Sequence, residues 1–167
     1  MNCAPSRQTQ AKVIINYKMS IFVRFTKKTK MGRLLALDVG KARVGVAVTD
    51  PMQIIPNGLT TVENKKLEEF LKDYVKKEPV DEFIVGLPKQ MNGSDSQSMP
   101  YVKQVVAMLR KNFPDKPVKM QDERFTSKIA HQAMLDGGMK KMQRRDKAIV
   151  DQISATIILQ SYMDNRF

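Results

Sequence analysis

The chain has 167 residues, with 29 Lys and Arg against 17 Asp and Glu, a formal net charge of +12 and 42% hydrophobic residues. That composition suits one domain with a proper core and excludes wholesale disorder. The single cysteine, Cys3, and the single histidine, His131, rule out an internal disulfide and a cysteine-based zinc centre, and leave His-rich metal sites and most Ser-His-Asp schemes without ligands or base.

No run of 18 apolar residues exists, so no membrane span is expected, and the cysteine usage fits a reducing cytoplasm. Residues 1–30 hold Arg7, Lys12, Lys18, Arg24, Lys27, Lys28 and Lys30 and no acid. They read as a basic extension, disordered or translated from a start placed too early, ahead of one domain over residues 31–167. The body then carries only a small positive surplus, which weakens any argument for nucleic-acid binding from bulk charge.

From Met31 the elements follow in order. Leu34-Leu35-Ala36-Leu37 reads as a buried strand ending at Asp38, with a turn at Gly40. Val44 to Val48 is a second strand, stopped by Thr49-Asp50-Pro51. A third is expected over Ile54-Ile55 and Leu59 to Val62, around Pro56-Asn57-Gly58; such short connections make the three antiparallel neighbours. Leu67, Phe70, Leu71, Tyr74 and Val75 then recur at helical spacing until Pro79. Phe83-Ile84-Val85 is a strand leading into Gly86-Leu87-Pro88 and a polar loop, Lys89 to Ser98. Val102, Val105, Val106, Leu109 and Phe113 mark a helix closed by Pro114, and Val118-Lys119-Met120 a short strand. A helix capped by Thr126 or Ser127 runs to about Leu135, and Gly137-Gly138 stops it. The basic linker Lys140 to Lys147 precedes a last helix with Ile149, Ile153, Ile157 and Tyr162 inward. The order predicts an α/β fold: a mixed five-stranded sheet, an antiparallel meander followed by β-α-β crossovers, flanked by helices.

Ligands of such sheets bind at strand ends, and three carboxylates stand there or close by. Asp38 closes the first strand, Glu123 follows the last, and Asp151 lies near the start of the final helix. Carboxylate oxygens suit Mg²⁺ or Mn²⁺, and two such ions can clamp the attacking water and the leaving oxygen of a phosphodiester. On spacing alone, turn or cap roles are the ordinary explanation of such acids and outweigh a metal site.

The surrounding residues carry a resemblance. Asp38-Val39-Gly40-Lys41-Ala42-Arg43-Val44-Gly45 and the residues to Asp50 resemble the opening signature of the YqgF family of RNase H-like nucleases, relatives of the RuvC Holliday-junction resolvases. Three further blocks match in order: Ile84-Val85-Gly86-Leu87-Pro88 with Met91-Asn92-Gly93-Ser94, Asp122 to Ser127, and Ala148 to Ala155 running on to Tyr162. Together they cover essentially all of residues 32–163. The resemblance implies an RNase H-like fold and a two-ion site for Mg²⁺ or Mn²⁺ on Asp38, Glu123 and Asp151 as the catalytic acids, with Asp38 bridging the ions. The implied activity is metal-dependent endonucleolytic cleavage at the 5′ end of pre-16S rRNA in ribosome biogenesis. The alternatives are resolution of four-way DNA junctions and a non-catalytic RNA-binding assembly factor. Asn92 stands where the family commonly has an acid and Ser154 where alanine is frequent; neither is expected to touch the three acids.

Lys41, Arg43 and Arg124 lie beside those acids in sequence and can hold phosphates or simply neutralise the carboxylates. Thr126 and Ser127 are candidate nucleic-acid contacts as well as caps. Arg144, Arg145 and Lys147 belong to a basic stretch placed to track a nucleic-acid backbone. Gly40 and Gly45 allow a close approach of backbone to metal or substrate, or serve a tight turn and strand packing. Asp50 is expected to cap the end of the second strand. The expected partners are pre-16S rRNA or branched DNA and the pre-ribosomal particle, with a monomer or weak homodimer in the cytoplasm. An actin-like or sugar-kinase ATPase, whose first strand also ends in Asp-x-Gly, needs two such lobes, and the chain has room for one.

Overall fold

A computed structural model describes residues 31–88, 96–122, 129, 132, 134–139, 141, 142 and 146–166. The basic extension 1–30, the loop tip around Asn92 and the proposed site residues Glu123, Arg124, Thr126, Ser127, Arg144 and Arg145 lie outside them.

Five strands form one sheet: β1 (Arg33–Val39), β2 (Arg43–Thr49), β3 (Pro56–Glu63), β4 (Val80–Leu87) and β5 (Val118–Asp122), in the order β3-β2-β1-β4-β5. The meander β1-β2-β3 is antiparallel, whereas β4 lies parallel to β1 and β5 parallel to β4. The parallel joins need crossovers, which α1 (Leu67–Lys77), after a 3₁₀ turn at Asn64–Lys66, and α2 (Met99–Asn112) supply. The last helix, α3, spans Lys147–Asp164. Residues 129, 132 and 134–136 are helical, within the stretch expected to form a helix after Thr126.

Side chains alternate across a strand, so β1 feeds two cores. Leu35, Leu37 and Val39 join Val44, Val46, Phe83 and Val85 under α1 and α2, where Leu67, Leu71, Val102 and Leu109 close the layer. Leu34 and Ala36 join Ala47 and Ile84 on the other face, beneath Ala155, Ile158, Leu159 and Met163 of α3. The helical spacing of Leu67, Leu71, Val102, Val105 and Leu109 thus marks the faces that the structure buries.

Two expectations need correction. The third strand does not include Ile54 and Ile55: β3 starts at Pro56, and the two isoleucines stand outside it, 60% and 58% exposed. Proline is tolerated there because β3 is an edge strand and Pro56 its first residue. The Asp50 carboxylate ends β2 as expected, accepting hydrogen bonds from the N–H groups of Met52, Ile54 and Ile55.

The second correction concerns α3. Its buried residues are Ser154, Ala155, Ile158, Leu159 and Met163, while Ile149, Ile153, Ile157 and Tyr162 are only half-buried. The helix is apolar over most of its circumference, so periodicity alone does not select a face. The surface beneath decides: Ala36, Gly45, Ala47 and Gly58 form a shallow bed that admits a helix presenting small residues. A methyl at Gly45 would run into the backbone carbonyl of Asp151, and one at Gly58 would come within 3.3 Å of Gln152 Cβ and Thr156 Oγ1. The start of α3 is pinned by Thr61 Oγ1, which donates to the Ala148 carbonyl at 2.7 Å, and by the Asp146 side chain, which caps the Ala148 N–H.

Gly45→Ala therefore has to lift α3 from the sheet. We expect a loss of about 2 kcal/mol or more in chemical denaturation, and Gly58→Ala to cost less because its nearest neighbours are side-chain atoms.

Candidate active site

Asp38 occupies the next-to-last position of β1, on the α3 face, and pairs across the ladder with Gly45. Because Gly45 has no side chain, the backbone of α3 at Asp151 sits directly on it. A register contact and a helix seat thus bring Asp38 and Asp151 together from nearly opposite ends of the domain. Their negative charges interact.

Burial is the main force on Asp38. It raises the carboxyl from its ordinary 3.8 to about 7; the neighbouring charge of Asp151 adds to the rise, and a hydrogen bond from the Ser154 side chain opposes it. Asp151 is also raised, again chiefly by burial, against the pull of Arg43. Ser154 is buried one turn after Asp151, so both residues of α3 act on the same carboxylate. The expectation that Ser154 stays clear of the acids is thereby corrected: its side chain hydrogen-bonds Asp38. Asn92 lies outside the described residues.

Arg43 opens β2, and its Nε lies 3.4 Å from Asp151 Oδ2, with the guanidinium side chain 40% exposed. In this arrangement it neutralises a carboxylate, the plainer of its two expected roles; at that exposure the pair adds little stability. Lys41 is exposed in the β1–β2 turn. Lys147 is the first residue of α3 rather than part of a linker, and its charge reaches Asp151 one turn on. Gly40 serves a tight turn, with its N–H donating to the Arg43 carbonyl at 2.9 Å, and Gly45 serves strand-to-helix packing.

The register Leu37–Val85–Met120 aligns the ends of the three parallel strands. The chain leaves β5 at Asp122, at the same end of the sheet as Asp38. Glu123 is the next residue and lies outside the described ones. Among the described residues no three acids, histidines or cysteines are gathered closely enough to hold a metal ion. The donor set of Asp38 and Asp151 nevertheless fits a hard divalent cation: two converging carboxylates, each destabilised in its charged form by burial. No helix among the described residues is long and apolar enough to cross a membrane.

The raised Asp38 value has a defined sign for stability. Below about pH 4 the carboxyl is protonated in folded and unfolded chains alike. Between there and pH 7 the unfolded chain ionises first, so stability falls as pH rises, and the full penalty is present above pH 7. Without metal, Asp38→Asn is therefore expected to stabilise the protein at pH 8 by up to about 4 kcal/mol and to leave it nearly unchanged at pH 4. Urea titrations at the two pH values measure this.

Comparison with known proteins identifies the family. Residues 32–165 match the RuvX family, described as Holliday junction resolvase. A protein of Phocaeicola vulgatus is 60% identical over 136 residues, 81% of this chain and 98% of the relative, and one of Porphyromonas gingivalis is 54% identical over 135 residues, with the same coverage. Both bear the name "Putative pre-16S rRNA nuclease". Among solved structures, Thermus thermophilus RuvC in complex with a Holliday junction substrate superposes with a TM-score of 0.50 at 15% identity, over 81% of this chain and 95% of the other. At that identity the likeness concerns the fold, which is RNase H-like. The chain belongs to the RuvX family, the one its sequence blocks resemble under the name YqgF.

Proposed function

We propose that this protein is a divalent-metal-dependent endonuclease whose substrate is the 5′-extended precursor of 16S rRNA. The observation that carries the reading is the seating of α3 on Gly45, which holds Asp151 against Asp38 at the end of the central strand. The names of relatives above 50% identity support the choice of an RNA precursor.

Asp38 and Asp151, with Glu123, would hold Mg²⁺ or Mn²⁺. Such an ion supplies positive charge at the scissile phosphate and eases deprotonation of the attacking water. The chain's own residues do the rest. Asp38, next to last in β1 and facing α3, offers a carboxylate whose orientation Ser154 restrains through its hydrogen bond. Arg43 is free to exchange its exposed contact with Asp151 for a phosphate oxygen once a cation neutralises that acid. Lys41, Lys147 and the basic residues Arg124, Arg144 and Arg145 extend the positive surface along the nucleic-acid backbone, with Thr126 and Ser127 as further contacts. Hydrolysis leaves a 5′-phosphate and a 3′-hydroxyl. The working unit is residues 31–167, acting in the cytoplasm as a monomer or weak dimer on the pre-ribosomal particle.

A second reading, resolution of four-way DNA junctions, is favoured by the description of the matched family. One experiment separates them. The full chain is incubated with 5′-extended small-subunit rRNA precursor or with a four-way DNA junction, in Mg²⁺ or Mn²⁺. Metal-dependent cutting of the RNA is expected, reduced at least about a thousandfold by Asp38→Asn or Asp151→Asn. Symmetric nicking of the junction alone would transfer the protein to the second reading. Failure of the folded protein to cut either substrate would overturn both.

A further inference from the structure

Asn64 lies outside every motif that marks the site, yet it is the residue most tied to the turn beside Asp38. It opens the 3₁₀ turn that follows edge strand β3. Its Nδ2 donates to the Gly40 carbonyl and to the Lys41 carbonyl, each at 3.1 Å, and its backbone N–H donates to the Ala42 carbonyl at 3.2 Å. Three successive carbonyls of the β1–β2 turn thus converge on one residue.

Peptide planarity gives this convergence a direction. In a trans peptide the N–H points opposite to the preceding C=O, and the described chain contains no cis bond. Holding the Gly40 and Lys41 carbonyls toward Asn64 therefore turns the N–H groups of Lys41 and Ala42 the other way, at residues that are both exposed. Two adjacent N–H groups, the Lys41 ammonium and the Arg43 guanidinium then lie along one short turn that begins two residues after Asp38. Backbone N–H groups arranged in this way suit an anion, and a phosphodiester is the anion a nuclease must place.

Asn64 is also poorly explained as a stability device. Its Oδ1 is buried and accepts no hydrogen bond among the described residues, an arrangement that costs folding free energy. The amide is retained with an unused acceptor, and its two donor contacts are both to the turn.

We propose that Asn64 is a positioning residue for the substrate: by clamping the Gly40–Arg43 turn it fixes a cradle of backbone N–H groups and cationic side chains that receives a nucleic-acid phosphate beside Asp38. This rests on the nuclease reading above. The cradle acts on binding and placement of the backbone, and leaves the acidic pair to the chemistry.

The test compares the wild-type chain with Asn64→Ala, which removes the clamp, and Asn64→Ser, which keeps a shorter donor and replaces the alanine variant should that fail to fold. Steady-state cleavage is measured on whichever of the RNA precursor and the junction the wild type cuts. Mn²⁺ binding is followed by calorimetry and backbone order at Lys41 and Ala42 by NMR order parameters. We expect KM to rise about tenfold with kcat within about threefold, lower order parameters at the two amides, and unchanged Mn²⁺ affinity. Lower order parameters with wild-type KM would overturn the cradle and leave the nuclease reading intact, as would a loss of kcat with KM unchanged. A wild-type protein that cuts neither substrate would remove the nuclease reading and this inference with it.

Discussion

Everything in the site depends on one close approach of two backbones. The carbonyl of Asp151 on α3 rests where a side chain on Gly45 would be, and Gly45 is the ladder partner of Asp38. A helix that stood off by the width of a methyl group would still cover the hydrophobic face. It would no longer bring the second carboxylate to the first. The small residues of the sheet face, Ala36, Gly45, Ala47 and Gly58, thus shape the candidate site as much as the acids do.

That closeness carries an electrostatic cost. Two acids are brought into a half-buried corner where both resist ionisation, and Asp38 the more strongly. Arg43 and Ser154 offset part of it, the first by charge on Asp151 and the second by hydrogen bonding to Asp38. Neither removes it, because Arg43 is a solvent-exposed partner and a hydroxyl is a neutral one.

Much of the framework was legible in the residues alone. Apolar runs of β-branched and leucine residues marked β1, β2 and β4, and helical spacing marked the buried faces of α1 and α2, because those elements meet one flat hydrophobic layer. The inward face of α3 was not, since isoleucines lie on several sides of it and the choice belongs to the glycine and alanine bed below. Asp38 and Asp151 stood out as strand-end and helix-start acids, but only the resemblance joined them, as they lie far apart in the chain. Ser154 could have been suspected from its position one turn after Asp151, on the same helix face. Asn64 could not: its role comes from a turn contacted across 24 residues, and asparagine after a strand ordinarily signals nothing more than a loop.

The position of α3 in the chain gives the fold a timing. All five strands, with α1 and α2, precede α3 in the sequence, and Asp151 arrives after them on a helix that ends at Asp164. Domains fold as the chain emerges from its amino end, so a nascent chain holds Asp38 long before it can offer Asp38 a partner. The corner between β1 and α3 closes only once α3 has been made.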